Sequence, residues 1–136
     1  MILGTKARYA VMAMVELARR GGDTHVSLAE IAQSQGITIP YLEQIFSKLR
    51  KGGLVNSVRG AGGGYCLARD ADKINIYEIV IVADESMKMT RCDAKSEAGC
   101  MASKGRCLTH DLWDGMEKQI RTYLSGITLA DVVNKK

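Results

Sequence analysis

Cys92, Cys100, Cys107 and His110 carry the side chains in this sequence best suited to binding a metal. Thiolates and imidazole are the donors that hold zinc or iron-sulfur centres. The spacing is Cys-x7-Cys-x6-Cys-x2-His, wider than the short Cys-x-x-Cys knuckles of structural zinc sites. Cys107 and His110 lie three positions apart at the expected start of a helix, within reach of one ion, and the positive end of the helix dipole there also favours a thiolate. Cys92 and Cys100 would fold back over them. Three sulfurs and one nitrogen complete a zinc tetrahedron and equally supply the four protein ligands of a 2Fe-2S centre, so spacing alone does not choose between the two. The residues between Cys92 and Cys107 are mostly small, charged or glycine, and such a stretch has no apolar face to bury. A bound metal would supply the tether.

Other chemistries find little support. No Ser/His/Asp arrangement is suggested, His25 stands alone after the first helix as a surface residue, and the carboxylates are scattered over helix faces, so the chain does not read as an enzyme. The run Arg59-Gly60-Ala61-Gly62-Gly63-Gly64 imitates a phosphate cradle, but Tyr65 occupies the last glycine position of G-x-G-x-x-G and no Gly-Lys-Ser/Thr follows. Cys66, remote from the other cysteines, reads as a small buried thiol. The net charge of +4 is unevenly placed, with nine Lys/Arg against five Asp/Glu in residues 1–70 and ten of each thereafter. A basic first half suits a polyanion, nucleic acid first, although a solvated cationic face gives the same count. Lys6 and Arg8 before an apolar run resemble a signal peptide only loosely: Glu16 interrupts the run, which is too short to span a bilayer. The expected location is the cytoplasm, where thiols stay reduced.

The positioning elements follow from periodicity and caps. A first helix over 5–20 places Ala7, Ala10, Val11, Met14, Leu17 and Ala18 at three- and four-residue steps. Ser27 and Glu30 form a capping box for a short second helix ending by Gly36. A third helix from Thr38 to Gly52 tolerates Pro40 in its first turn and buries Leu42, Ile45, Phe46 and Leu49. A short helix, a tight glycine turn and a longer helix describe a helix-turn-helix, although a plain helical bundle can show the same pattern. Two strand-like runs, 54–58 and 65–68, joined by the glycine tip, add a hairpin wing. The third helix then presents Tyr41, Glu43, Gln44, Ser47, Lys48 and Lys51. Gln44 suits adenine, Lys48 and Lys51 suit phosphates, and Glu43 would reject sites unless it accepts from cytosine N4. Arg59, beside Gly60, suits a narrow minor groove.

Asn75 and Glu78 cap an apolar helix running through Ala83 that should close the core beneath the first. Beyond the cysteine segment, a helix over 110–125 carries Leu112, Met116, Ile120, Tyr123 and Leu124 on one stripe with Trp113 beside it, and Thr128 with Asp131 caps a short last helix. A second copy of the chain is the economical partner for the long helix, with packing on its own domain as the alternative. The expected fold is mainly α with a small β-hairpin: a winged helix-turn-helix DNA-binding domain over 1–83, followed over 84–136 by a cluster-binding loop (92–110), a long C-terminal dimerisation helix and the short last helix.

The segments Y-L-E-Q-I-F-S-K-L-R-K-G-G-L-V, S-V-R-G-A-G-G-G-Y and R-C-x7-C-x6-C-L-T-H-D-L-W together resemble the IscR family of iron-sulfur cluster regulators, winged-helix repressors related to NsrR and RirA. The resemblance runs from the first helix to I-T-L-A-D-V-V-N. It implies a homodimer on promoter operators in double-stranded DNA, a 2Fe-2S cluster on Cys92, Cys100, Cys107 and His110, and feedback control of cluster-assembly genes. Relatives that sense nitric oxide or iron use the three cysteines with a different fourth ligand and can hold a 4Fe-4S cluster. This sequence departs from the family's common five-and-five cysteine spacing, and Pro40 replaces a small hydroxyl residue that would offer a DNA contact.

Overall fold

The computed structural model describes residues 4–21, 23–60, 62–84 and 108–134. Its elements are α1 (Thr5–Arg19), α2 (Leu28–Gln35), α3 (Ile39–Lys51), β1 (Val55–Val58), β2 (Gly64–Leu67), a 3-10 turn (Ala71–Lys73), α4 (Ile76–Asp84), α5 (His110–Ser125) and α6 (Leu129–Val133). The architecture is the expected winged helix, mainly α with one antiparallel hairpin.

Local chemistry sets the boundaries. The Ser27 hydroxyl accepts from the Glu30 amide at 3.2 Å while the Glu30 carboxylate accepts from the Ser27 amide at 2.8 Å, satisfying two of the amides a helix start leaves free. Gly36, at φ +69°, ends α2 in the left-handed region that favours glycine. Thr38 occupies the N-cap of α3 in an extended conformation and makes no side-chain cap bond. Pro40 in the first turn offers no amide that would need one. Reciprocal bonds between Asn75 and Glu78 start α4, and the same device joins Thr128 to Asp131 at α6.

The core forms around α1. Ala7, Ala10 and Ala13 let neighbouring helices approach closely, while Met14 and Leu17 fill the gaps beside Ile31, Leu42, Phe46, Leu49, Ile79 and Val80. Helix α4 packs beneath α1, as its apolar run requires. Phe46 is fully buried with its ring centroid 4.6 Å from that of Tyr65, which joins α3 to the hairpin. The end of the chain returns to this core: Ile127 O accepts from Ile76 N, Leu129 N donates to Ile74 O, both at 2.9 Å, and the Leu129 side chain is fully buried.

Glu16 is the one buried charged residue among those described, at 2% exposure. Its carboxylate accepts from Arg19 at 2.6 Å, Arg20 at 2.7 Å and the Gln35 amide at 3.0 Å, linking α1 to the end of α2. Arg19 above all holds the Glu16 carboxyl down at about 2, against the usual 4.5, with burial opposing and Arg20 assisting. A depressed folded-state pKa stabilises fully above the unfolded value, and the contribution is lost as pH falls from 4.5 toward about 2. Allowing for solvent screening at the exposed Arg19, it amounts to about 2 kcal/mol. Glu16→Gln should therefore be less stable than the native chain at pH 7, with the gap closing across that acid window. Urea titrations from pH 6 to pH 2 measure it, and a gap independent of pH would disprove the linkage.

Candidate nucleic-acid interface and metal segment

Helix α3 buries Leu42, Ile45, Phe46 and Leu49 and turns its opposite face to solvent. Pro40, Glu43, Gln44 and Lys51 are exposed there, with Ser47 half-buried among them. Tyr41 and Lys48 sit on one shoulder of this face, both half-buried. The Tyr41 ring meets Tyr9 of α1 edge-on, with centroids 5.4 Å apart. Lys48 reaches back to α4, its Nζ 3.4 Å from the Ala83 carbonyl oxygen. Together with Lys6 at the start of α1, Gln44, Ile45 and Ala83, these two residues line a small cleft beside α3. On the opposite shoulder Arg50 is exposed in the last turn. Reading for the outermost positions passed over Arg50 and Lys6; their signal was only that basic residues recur at the end of α3 and the start of α1.

The wing leaves the end of α3 through Gly52 and Gly53. Its strands pair Val55 with Leu67, Asn56 with Cys66, Ser57 with Tyr65 and Val58 with Gly64. Cys66 faces inward as a buried free thiol. The wing base is bolted to the start of α2 by a two-way bond, Val26 N to Tyr65 O at 2.9 Å and Tyr65 N to Val26 O at 2.8 Å. The tip presents Arg59 and Gly60, both exposed, with Gly60 at φ +97°. If Arg59 pairs with DNA, Arg59→Ala will weaken binding and flatten the dependence of log K on log salt by about one unit. An unchanged slope would remove the wing from the contact surface. His25, expected at the surface, is half-buried beside the bolted Val26.

Of the four soft donors, His110 is described and Cys92, Cys100 and Cys107 lie outside the described residues. His110 opens α5, half-buried. The local start is fixed by Trp113, whose backbone amide donates to Thr109 O and whose indole N–H donates to Thr109 Oγ1, both at 3.1 Å. Among the described residues no group of three or more His, Cys, Asp or Glu is placed to hold a metal. As chemistry the donor set fits a thiophilic centre, since an imidazole at the head of a helix adds the nitrogen that three thiolates lack.

Helix α5 has no fully buried residue. Leu112, Met116 and Tyr123 are exposed at 58%, 40% and 69%, and Leu108 is fully exposed just before the helix. The expected stripe is split: Leu124 turns inward against the core and Ile120 is half-buried, while Arg121 lies 6.0 Å over the Tyr77 ring of α4. No helix of the described residues is long and apolar enough to cross a membrane.

Comparison with known proteins agrees with this geometry. The model of the Rrf2 family, described as an iron-dependent transcriptional regulator, matches residues 3–135. The HTH-type transcriptional regulators IscR of Yersinia pseudotuberculosis and Serratia proteamaculans are each 48% identical over 136 residues, covering 100% of this chain and 81% of theirs. Among solved structures, T. potens IscR is 40% identical with a TM-score of 0.78, over 98% of this chain and 86% of that one. CymR, the global cysteine regulator of B. subtilis, is 32% identical with a TM-score of 0.80, over 98% and 96%. With helix-turn-helix, wing and whole-chain likeness in agreement, the chain belongs to the Rrf2 family of transcriptional regulators, DNA-binding proteins and not enzymes.

Proposed function

We propose that this chain works in the cytoplasm as a homodimer that binds promoter operators and changes its choice of operator with an iron-sulfur cluster, controlling cluster-assembly genes by feedback. The observation that carries the DNA half is the placement of Glu43, Gln44 and Lys51 on one exposed face of α3 with Arg59 and Gly60 exposed at the wing tip. Gln44 reads adenine, Lys51 neutralises phosphate, and Glu43 repels sites that offer no cytosine donor. Residues 1–83 make the reading domain in this account, and residues 84–136 carry the cluster segment and the dimer helix. The exposed Leu112, Met116 and Tyr123 of α5 support self-association, because an apolar stripe of this kind is stabilised by a matching copy.

Cys92, Cys100, Cys107 and His110 would hold a 2Fe-2S cluster, which supplies a redox couple and a group whose presence depends on iron and sulfide supply. A 4Fe-4S cluster or zinc on the same donors, in a sensor of nitric oxide, iron or redox state or in a zinc-stabilised winged-helix binder, is the competing reading. A histidine ligand makes cluster retention sensitive to protonation, which favours a sensor over a permanent cofactor. Anaerobic purification separates the readings. Brown protein with visible absorption and two irons per chain is expected; colourless protein with one zinc per chain would sink the cluster assignment.

A further inference from the structure

Lys48 is placed to touch DNA, yet its ammonium points elsewhere. It sits 3.4 Å from the Ala83 carbonyl oxygen in the last described turn of α4, whose partial negative charge attracts a cation. One helical turn further along α3, Gly52 meets the same end of α4. A Cβ on Gly52 would lie 2.7 and 2.8 Å from the two methyl carbons of Val82. Gly52 has an ordinary right-handed conformation, φ −80° and ψ −1°, so its backbone makes no demand for glycine. What calls for glycine here is space, the closeness of the two helices. Lys48 and Gly52 also share a backbone bond, Gly52 N to Lys48 O at 2.9 Å, so both contacts belong to one face of α3.

We propose that Lys48 governs DNA recognition as a positioning residue, clamping the reading helix onto the last turn of α4 beside the tight Gly52–Val82 contact, and that it does not act as a phosphate contact. The inference rests on the DNA-reading role proposed for α3. With the ammonium at α4, the outward face of α3 takes a fixed tilt, and Gln44, Glu43 and Lys51 meet the groove together. Without it the helix keeps its charge pattern toward DNA and loses its seating.

The two roles of a lysine differ in their salt signature. A lysine that pairs with a phosphate releases a counterion, so its loss flattens log K against log salt by about 0.9 per contact; a positioning lysine changes the affinity and leaves that slope alone. The full-length protein would first select a duplex from a random-sequence pool, and binding to that duplex would be measured across a salt series for Lys48→Met, Lys48→Arg, Gly52→Ala and Lys51→Ala. Circular dichroism would accompany each variant. Lys48→Met and Gly52→Ala should each weaken binding several-fold at every salt concentration with the native slope, Lys48→Arg should restore affinity, and Lys51→Ala should flatten the slope. A slope flattened by Lys48→Met as by Lys51→Ala would overturn the proposal, as would native affinity in Lys48→Met or in folded Gly52→Ala. Failure of the native protein to select any duplex would refute the DNA-reading role itself, a distinguishable result.

Discussion

Cys107→Ala, purified without oxygen, is expected to be colourless, with iron and sulfide near zero and no visible absorption. A 2Fe-2S centre needs two protein ligands on each iron. Removing one thiolate leaves two cysteines and His110, so one iron would have a single protein donor and the cluster would be lost to solvent. The remaining cysteine cannot replace it. Cys66 is buried in β2, paired across the hairpin with Asn56 and committed to the core. Cys66→Ser should therefore keep the absorption, which makes it the natural control. None of the four donors is among the described core residues, so Cys107→Ala should retain native helix content and still bind DNA, losing the cluster-dependent difference between operators. Full absorption in Cys107→Ala would show that the ligand set is wrong.

Gly64→Ala should produce a large loss of stability in the wing. Gly64 has φ +152°, and a Cβ there would stand 2.3 Å from Val26 O, 2.5 Å from Val26 C and 2.9 Å from Ser27 N. All three are backbone atoms, so no rotamer change relieves the clash. Either the wing lifts away from Val26, breaking the two-way bond with Tyr65, or α2 shifts at its cap. Strain and overpacking together cost about 3 kcal/mol. Gly62→Ala is the comparison, because φ is +75° there but a Cβ meets nothing within 4 Å, leaving a conformational cost of about 1 kcal/mol. Urea midpoints measure the difference, and equal losses at the two positions would show that Val26 does not hold the wing. DNA affinity should fall with Gly64→Ala in the same way that it falls when Arg59 is removed, since the wing tip loses its seat.

Features decided within a few residues were legible in the sequence. The caps at Ser27, Asn75 and Thr128 bind amides three positions on, so their patterns name them, and the spacing of Leu42, Ile45, Phe46 and Leu49 assigned the inner face of α3 together with its exposed Glu43, Gln44 and Lys51. The docking of α4 beneath α1 was legible from its apolar run, but individual contacts between distant residues were not. Glu16 reads in sequence as a break in an apolar run, and its role depends on Gln35, which reaches it only once α2 has docked. The bolt between Val26 and Tyr65 uses backbone atoms that carry no sequence signal. Lys48 shows the limit within the site: helical geometry places it near the outer face, but the direction of a long flexible side chain depends on α4, whose Ala83 carbonyl takes the ammonium.

The return of the chain into the core gives α5 an unequal pair of ends. At its C-terminal end Ile127 bonds Ile76, Leu129 bonds Ile74 and the Leu129 side chain is sealed in the core. Its other end carries His110, exposed Leu112 and fully exposed Leu108. A helix of 16 residues is about 24 Å long. Among the described residues, the backbone bonds that tie this helix to the start of α4 follow its C-terminal end, the full length of the helix away from His110. A load applied at His110 would be carried along the helix to Ile74 and Ile76, at the threshold of α4, the helix against which α3 packs.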